Sequence, residues 1–307
     1  MRRPRIVSLL PSATEIVAGL GFESALVGRS HECDFPAGVE RLPVCTAPKI
    51  DPHGSSEEIH GSVDALLAED LSVYRVDASL LRKLSPTHVV TQVQCNVCAV
   101  SLEDVEQALL GWIDERPALV ALNPGCLTDV FADMERVAQA LGADERGVEL
   151  AGRLRQRMDA VAAKARALGE RPRVATIEWL SPLMSAGYWL PELITMAGGT
   201  DVFGTAGHPS SWLAWSDLAA ANPDVILAFP CGFSLTRLEQ EIGLLTDLPC
   251  WNDLSAVRLG RVYLADGNQY FNRPGPRLLE TLEIAAEILH PKTFDFGHEG
   301  TAWKRLG

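Results

Sequence analysis

Along this chain, short β-branched and apolar runs alternate with longer stretches in which apolar positions recur every three or four residues. Ile6–Leu10, Leu26–Ser30, Thr87–Gln94, Ala118–Leu122, Val225–Phe229 and Val262–Leu264 read as buried strands, as does a run that opens at Arg173 and delivers Glu178 and Trp179. Ser72–Val76 is strand-like. Between these runs the pattern predicts helices from about Thr14 to Leu20, stopped by Gly21, and from Asp77 towards Pro86. Further helices are predicted over Leu102–Trp112, through Val130, Met134, Val137 and Leu141 to a stop at Gly142, and over Leu278–Leu289. Residues 37 to 61 are rich in Pro, Gly and Ser and read as a loop around a short element. Strand and helix in alternation predict an α/β fold with parallel sheets.

The pattern also repeats. Leu80–Cys95 matches Ser216–Cys231 in kind: a short helix, a proline break, a buried strand, then cysteine. The two halves open alike, Arg5-Ile-Val-Ser-Leu-Leu-Pro-Ser-Ala-Thr-Glu15 against Arg173-Val-Ala-Thr-Ile-Glu-Trp-Leu-Ser181. Two similar lobes with parallel-sheet cores are therefore expected, facing each other across a ligand cleft. Leu150, Leu154, Met158, Val161, Ala165 and Leu168 keep helical spacing, which predicts one long interlobe helix. The expected division is an N-terminal lobe over 1–144, the helix over 145–170 and a C-terminal lobe over 171–307.

Composition narrows the partners. A chain of 307 residues with 47% hydrophobic content can bury two ordinary cores. A net charge of −13 argues against nucleic acid or an anionic membrane as partner. No run of about 18 apolar residues occurs, so no transmembrane segment is expected. The apolar run after Met1-Arg-Arg-Pro-Arg5 ends at Pro11 and reads as a first strand rather than a secretion signal, which places the chain as given in the cytoplasm. Seven cysteines, an odd number, fit reduced thiols.

Thr91-Gln-Val-Gln-Cys-Asn-Val-Cys-Ala-Val-Ser101 carries the densest chemistry, with Cys95 and Cys98 in a strand-to-helix loop. In open α/β sheets such loops at the carboxyl ends of strands bind ligands. Cys33, Cys95, Cys98 and Cys231, with His31, form a candidate metal set, because two thiolates at this spacing suit tetrahedral zinc and a histidine completes it. One of these groups ligating the metal inside a bound cofactor is a related reading. Free cysteine is also a small buried hydrophobe, the role expected of Cys45, Cys126 and Cys250. A redox pair fits less well, since the expected helix cap, Ser101, lies beyond both thiols.

In order and spacing, the chain resembles the substrate-binding proteins with a long interlobe helix, which serve ABC importers of vitamin B12, ferric siderophores or haem. The resemblance rests on Arg5–Glu15, Leu26-Val-Gly28, Leu84-Ser-Pro-Thr-His-Val-Val90, Asn222-Pro-Asp-Val-Ile-Leu227 and Arg273-Pro-Gly-Pro-Arg277. Its opening stretch looks most like the B12-binding members. The resemblance implies capture of a large cofactor-like ligand, a corrinoid such as cobalamin before a siderophore or haem, and an ABC permease as partner.

Such a site needs apolar walls and a few directed polar groups. Pro11, Ser12, His31 and Gln94 are the candidates in the first half. Glu178, Trp179, Tyr188, Trp189, Trp212, Phe233, Asn268, Tyr270, Phe271 and Arg273 are those in the second. Tryptophan walls suit a large flat macrocycle. Catalysis is not expected: Ser12 lacks a Gly-x-Ser-x-Gly elbow, and none of the seven histidines has an evident Asp partner in sequence.

Overall fold

The computed structural model describes residues 3–69, 71–94, 100, 102–110 and 116–307. The chain forms two compact α/β units, and the division falls inside one helix, between Arg153 and Leu154.

In the N-terminal unit the order is β1 (Ile6–Ser8), α1 (Pro11–Gly19), β2 (Leu26–Arg29), β3 (Thr46–Pro48), α2 (Ser56–Ala68), β4 (Tyr74–Val76), α3 (Ala78–Leu84), β5 (His88–Gln92), α4 (Leu102–Ala108), β6 (Ala118–Leu122) and α5 (Leu127–Ala140). The main sheet runs β2-β1-β5-β6, parallel throughout, with Ile6 opposite His88 and His88 opposite Ala118. Val7, Leu9, Leu81, Val89 and Val105 pack a core beneath it. The expected strand near Ser72 begins at Tyr74 and pairs antiparallel with β3, outside the main sheet. Pro11 and Ser12, expected in a loop, open α1, because proline fits the first helical turn, where its missing N–H costs nothing. Asp77 caps α3 as expected, accepting from the Leu80 N–H at 2.9 Å.

Helix α6 spans Asp144–Arg166, 23 residues with acidic groups in its first turn and basic groups in its last, the arrangement that complements a helix dipole. After it come β7 (Arg173–Trp179), β8 (Met184–Ser185), α7 (Leu190–Met196), β9 (Thr200–Asp201), β10 (Ser211–Trp212), α8 (Trp215–Ala221), β11 (Val225–Ala228) and α9 (Leu235–Glu241). The chain ends through α10 (Gly243–Thr246), α11 (Ser255–Arg258), β12 (Val262–Ala265), α12 (Leu278–Leu289) and β13 (Trp303–Arg305). β7, β11 and β12 pair in parallel at the centre of this sheet. β8 and β13 flank them antiparallel, β10 extends the β8 side, and β9 joins the start of β7. Every α12 residue but Glu280 is buried, including Glu283 and Glu287. Glu287 accepts from the Trp303 indole N–H at 2.7 Å, while Glu283 pairs with Arg157 and His298, each at 3.2 Å. These carboxylates hold the C-terminal segment, and its strand β13 covers the edge of β12, which blunts an otherwise open sheet edge.

The internal repeat extends to single hydrogen bonds. Arg5 donates to the carbonyls of Leu84 and Ser85 at 2.6 and 3.3 Å, and Arg173 donates to those of Ala221 and Asn222 at 2.7 and 3.4 Å. In both units the helix then stops on a left-handed residue, Ser85 at φ 45° or Asn222 at φ 40°, directly before proline. Each arginine thus satisfies helix carbonyls left without an intrahelical donor.

Close backbone packing places the loop after β12. A Cβ at Gly267 would overlap the carbonyl oxygens of Phe229 and Pro230, and backbone atoms cannot yield as a flexible side chain does. Gly267→Ala should therefore lower stability by roughly 1–3 kcal/mol. A denaturant titration checks this, and an unchanged midpoint would contradict the packing described.

Candidate functional site

In the N-terminal unit all four strands of the main sheet run parallel, so their carboxyl ends lie along one edge. That edge carries Pro11 and Ser12 after β1, His31 after β2, Gln94 after β5 and Asn123 after β6. The Asn123 N–H donates to Asp133 at 3.0 Å. Burial pushes the Asp133 carboxyl up to about 6, against the pull of Arg136 and that N–H.

His31 is the best-defined group on this edge. Arg29, the last residue of β2, donates to the carbonyls of Ser30 at 2.9 Å and His31 at 3.3 Å, and to that of Glu40 at 3.0 Å, tying the loop down. Thr46 Oγ1 accepts from the His31 backbone N–H at 3.1 Å and lies 2.8 Å from the ring Nδ1. Tyr74 flanks the ring at 5.4 Å between centroids. Half-burial, and then the Arg29 charge, hold the imidazole down to about 4, so it is neutral at pH 7. Nε2 has no hydrogen-bond partner among the described residues.

In the C-terminal unit the parallel strands β7, β11 and β12 again end together. Glu178 and Trp179 close β7, Cys231 follows β11, and Asn268 and Tyr270 follow β12. Backbone bonds lace these loops together: Cys231 N–H to the Glu178 carbonyl at 3.0 Å, and Asn268 N–H to the Phe233 carbonyl at 3.0 Å. Ser210 donates to Glu178 Oε2 at 2.6 Å, which aims the carboxylate. Tyr188 is held at φ 54°, a conformation costly for an aromatic residue, by bonds to the backbone of Gly207 and His208. Arg277 stacks over the Tyr270 ring at 4.4 Å and donates to Gln269 at 2.6 Å.

Not every candidate wall faces outward. Trp189, Phe233, Phe271 and Arg273 are buried in the C-terminal unit. Phe271 stacks on Phe229 at 4.3 Å, and Trp189 donates its indole N–H to the Phe271 carbonyl at 3.2 Å. Arg273 bonds Asn268 at 3.1 Å, and Phe233 packs edge-on against Trp179 at 5.4 Å. These four support the rim rather than form it. Glu178, Trp179, Tyr188, Asn268 and Tyr270 are half-buried, and Trp212 is 59% exposed on β10.

The candidate thiols divide as well. Cys33 is 1% exposed and accepts from Thr14 on α1 at 3.1 Å, which makes it a core group. Cys231 is half-buried; Cys95 and Cys98 lie outside the described residues. Among the described residues no three His, Cys, Asp or Glu side chains gather as a metal would require. Cys45 is buried as expected, but Cys126 is half-buried and Cys250 is exposed, at φ 61°. Among the described residues Ser12 Oγ is buried with no hydrogen-bond partner, and none of them is placed as a base to activate it. Thr46 and Ser210, which orient His31 and Glu178, have no signal in the sequence: they lie 15 and 32 residues from their partners.

A family profile described as "Periplasmic binding protein" matches residues 6–268. An uncharacterized ABC transporter substrate-binding lipoprotein of Bacillus subtilis, YvrC, is 22% identical over 297 residues, covering 94% of this chain and 81% of the relative. Among solved structures, the periplasmic heme-binding protein RhuT of Roseiflexus superposes with TM-score 0.70 at 24% identity, over 94% of this chain and 99% of that one. The periplasmic vitamin B12-binding protein BtuF of Vibrio cholerae gives 0.64 at 20% identity, over 93% and 96%. Among the described residues no helix is long and apolar enough to cross a membrane.

The environment of His31 sets a pH dependence. The folded chain resists protonation of this ring until about pH 4, whereas the unfolded chain accepts a proton near 6.5. Its contribution to stability is therefore complete above about 6.5 and is lost as the pH falls towards 4. Proton NMR should show one histidine titrating near 4, absent in His31→Gln; a midpoint near 6.5 would contradict the burial described.

Proposed function

The chain belongs to the periplasmic binding protein family, and from that premise we propose that it is the substrate-binding component of an ABC importer. Its cargo in this reading is a large flat macrocycle, a corrinoid such as cobalamin ahead of haem or a ferric siderophore. The observation that carries the reading is the rim at the carboxyl ends of β7, β11 and β12. There, half-buried Trp179, Tyr188 and Tyr270 stand beside the oriented carboxylate of Glu178 and the amide of Asn268. Aromatic faces offer dispersion and stacking to a flat ligand, while a few fixed polar groups set its orientation. Two of the similar proteins of known structure are described as binding heme and vitamin B12, which supports the same class of cargo.

The role is binding rather than chemistry. A carrier needs complementary walls and a surface that its permease recognises, and the net charge of −13 leaves ample acidic groups for a basic partner. The Glu178 carboxylate on the rim is engaged by the Ser210 hydroxyl, an arrangement that suits orientation of a bound ligand.

Binding is tested by tryptophan fluorescence and calorimetry with cyanocobalamin, cobinamide and ferric haem. The expected result is saturable quenching by at least one of them. Trp179→Ala should then weaken that ligand by about 2 kcal/mol, roughly 30-fold, if the indole acts as a central anchor. No heat and no quenching with any of the three would refute the macrocycle.

A further inference from the structure

We propose that His298 is a positioning residue for the rim of the C-terminal unit: paired with Glu283, it seats the turn over residues 296–303 against Tyr270, in a clasp that tightens in acid and loosens in alkali. The inference rests on the reading of that rim as a binding surface and goes beyond it, by naming what holds Tyr270 and what releases it.

Three sets of contacts build the clasp. Glu287, buried on α12, accepts from the backbone N–H groups of Phe296 and His298, the latter at 3.4 Å, and from the Trp303 indole at 2.7 Å. One carboxylate thus gathers both ends of the turn. The turn closes on itself, Ala302 N–H to the His298 carbonyl at 2.9 Å, and the Ala302 carbonyl accepts from the Asp266 N–H at 2.8 Å. The Asp266 side chain accepts from the Gln269 N–H at 2.7 Å, which starts the helical turn over Gly267–Phe271 that carries Tyr270. Last, the His298 ring meets the Tyr270 ring edge-on at 6.3 Å between centroids, within the range of a favourable aromatic pair, and Arg277 covers the Tyr270 ring at 4.4 Å.

The charge of the imidazole is governed by α12. Nε2 lies 3.2 Å from Glu283 Oε2, and the other oxygen of that carboxylate takes Arg157 of α6 at 3.2 Å. Glu287 and Glu280 add their charges from the same helix, and Tyr270, with Arg277 over it, faces the ring from the turn after β12. The bond to Glu283, followed by these carboxylate charges, outweighs burial and raises His298 above its ordinary 6.5. The clasp is therefore fully charged below about 6.5 and loses that stabilisation as the pH rises through the higher value of the folded chain. A charge-assisted hydrogen bond is about twice as strong as a neutral one, and a neutral ring still donates from Nε2, so alkali loosens the clasp without undoing it.

The test is NMR of the full chain with ring-labelled tyrosine and histidine, over a range of about pH 5 to 9. Burial pushes the Tyr270 hydroxyl above its ordinary 10, so its own ionisation lies outside that range. Tyr270→Phe identifies the Tyr270 signal. In wild type that signal should move together with the His298 titration, at a midpoint above 6.5. His298→Gln, whose amide keeps a donor for Glu283 but carries no titrating charge, should match wild type by circular dichroism and hold the Tyr270 signal constant. Glu283→Gln should lower the His298 midpoint and carry the Tyr270 step with it. A Tyr270 signal that ignores pH in wild type, or that titrates unchanged in His298→Gln, overturns the proposal. Ferric haem binding at the two ends of the range tests the cargo separately: wild type should lose at least about 5-fold more affinity in alkali than His298→Gln does, the low end of coupling between sites. Equal losses in the two proteins overturn the proposal and leave the macrocycle reading intact. Absence of haem binding counts against that reading, while the Tyr270 titration, which needs no ligand, still decides the clasp.

Discussion

Parallel pairing of the first strand of each unit with the strand after its proline break is the constraint from which the rest follows. β1 pairs with β5 and β7 with β11, in each case without a hairpin, so a helical crossover must lie between them. Parallel strands all point one way. Loops that leave their carboxyl ends therefore collect on one edge, and this alone brings together residues as distant as Glu178, Cys231 and Asn268. The edge is also where backbone groups run out of ladder partners, which is why bonds such as Cys231 N–H to the Glu178 carbonyl recur there.

The proline break does more than end a helix. Ser85 and Asn222 turn left-handed to stop α3 and α8, and Pro86 and Pro223 then prevent the helix from resuming. Arg5 and Arg173 close each break by binding the exposed carbonyls. Because each arginine also starts the strand that pairs with the one after the break, the same residue sets where that pairing begins: Thr87 N–H meets the Arg5 carbonyl, and Asp224 N–H meets that of Arg173. The likeness of the two halves in sequence is thus a likeness in hydrogen bonding, and it survives although few other side chains match.

What could be read in advance follows from which forces are local. Strand runs such as Ala118–Leu122 and the helix Leu278–Leu289 appear at the expected residues because hydrophobic period and stop signals are written within each segment. β8, β9 and β10 are two residues each and β13 three, too short for any period, and exist only because a longer neighbour offers an edge. Pro11 was expected in a loop because proline breaks most elements, yet at the first turn of a helix it is favoured. The site was legible as a set of loops, but not as a division of inward and outward side chains. Phe271 and Tyr270 are adjacent in sequence, and only the helical turn over Gly267–Phe271 sends one to the core and the other to the rim.

The orienting hydroxyls show why that distinction matters for binding. A half-buried polar group that swings freely must be immobilised when a ligand arrives, at a cost of about 0.5–1.5 kcal/mol for a flexible side chain. Thr46 beside His31 and Ser210 beside Glu178 meet part of that cost in the folded chain. Neither hydroxyl need touch a ligand to do so. The buried Trp189, Phe233, Phe271 and Arg273 act in the same way one layer lower: by packing beneath Trp179, Tyr188 and Asn268 they keep the rim in one arrangement. Substitution in that lower layer should therefore alter the shape of the rim, because the aromatic residues that the sequence offers as walls support it from beneath.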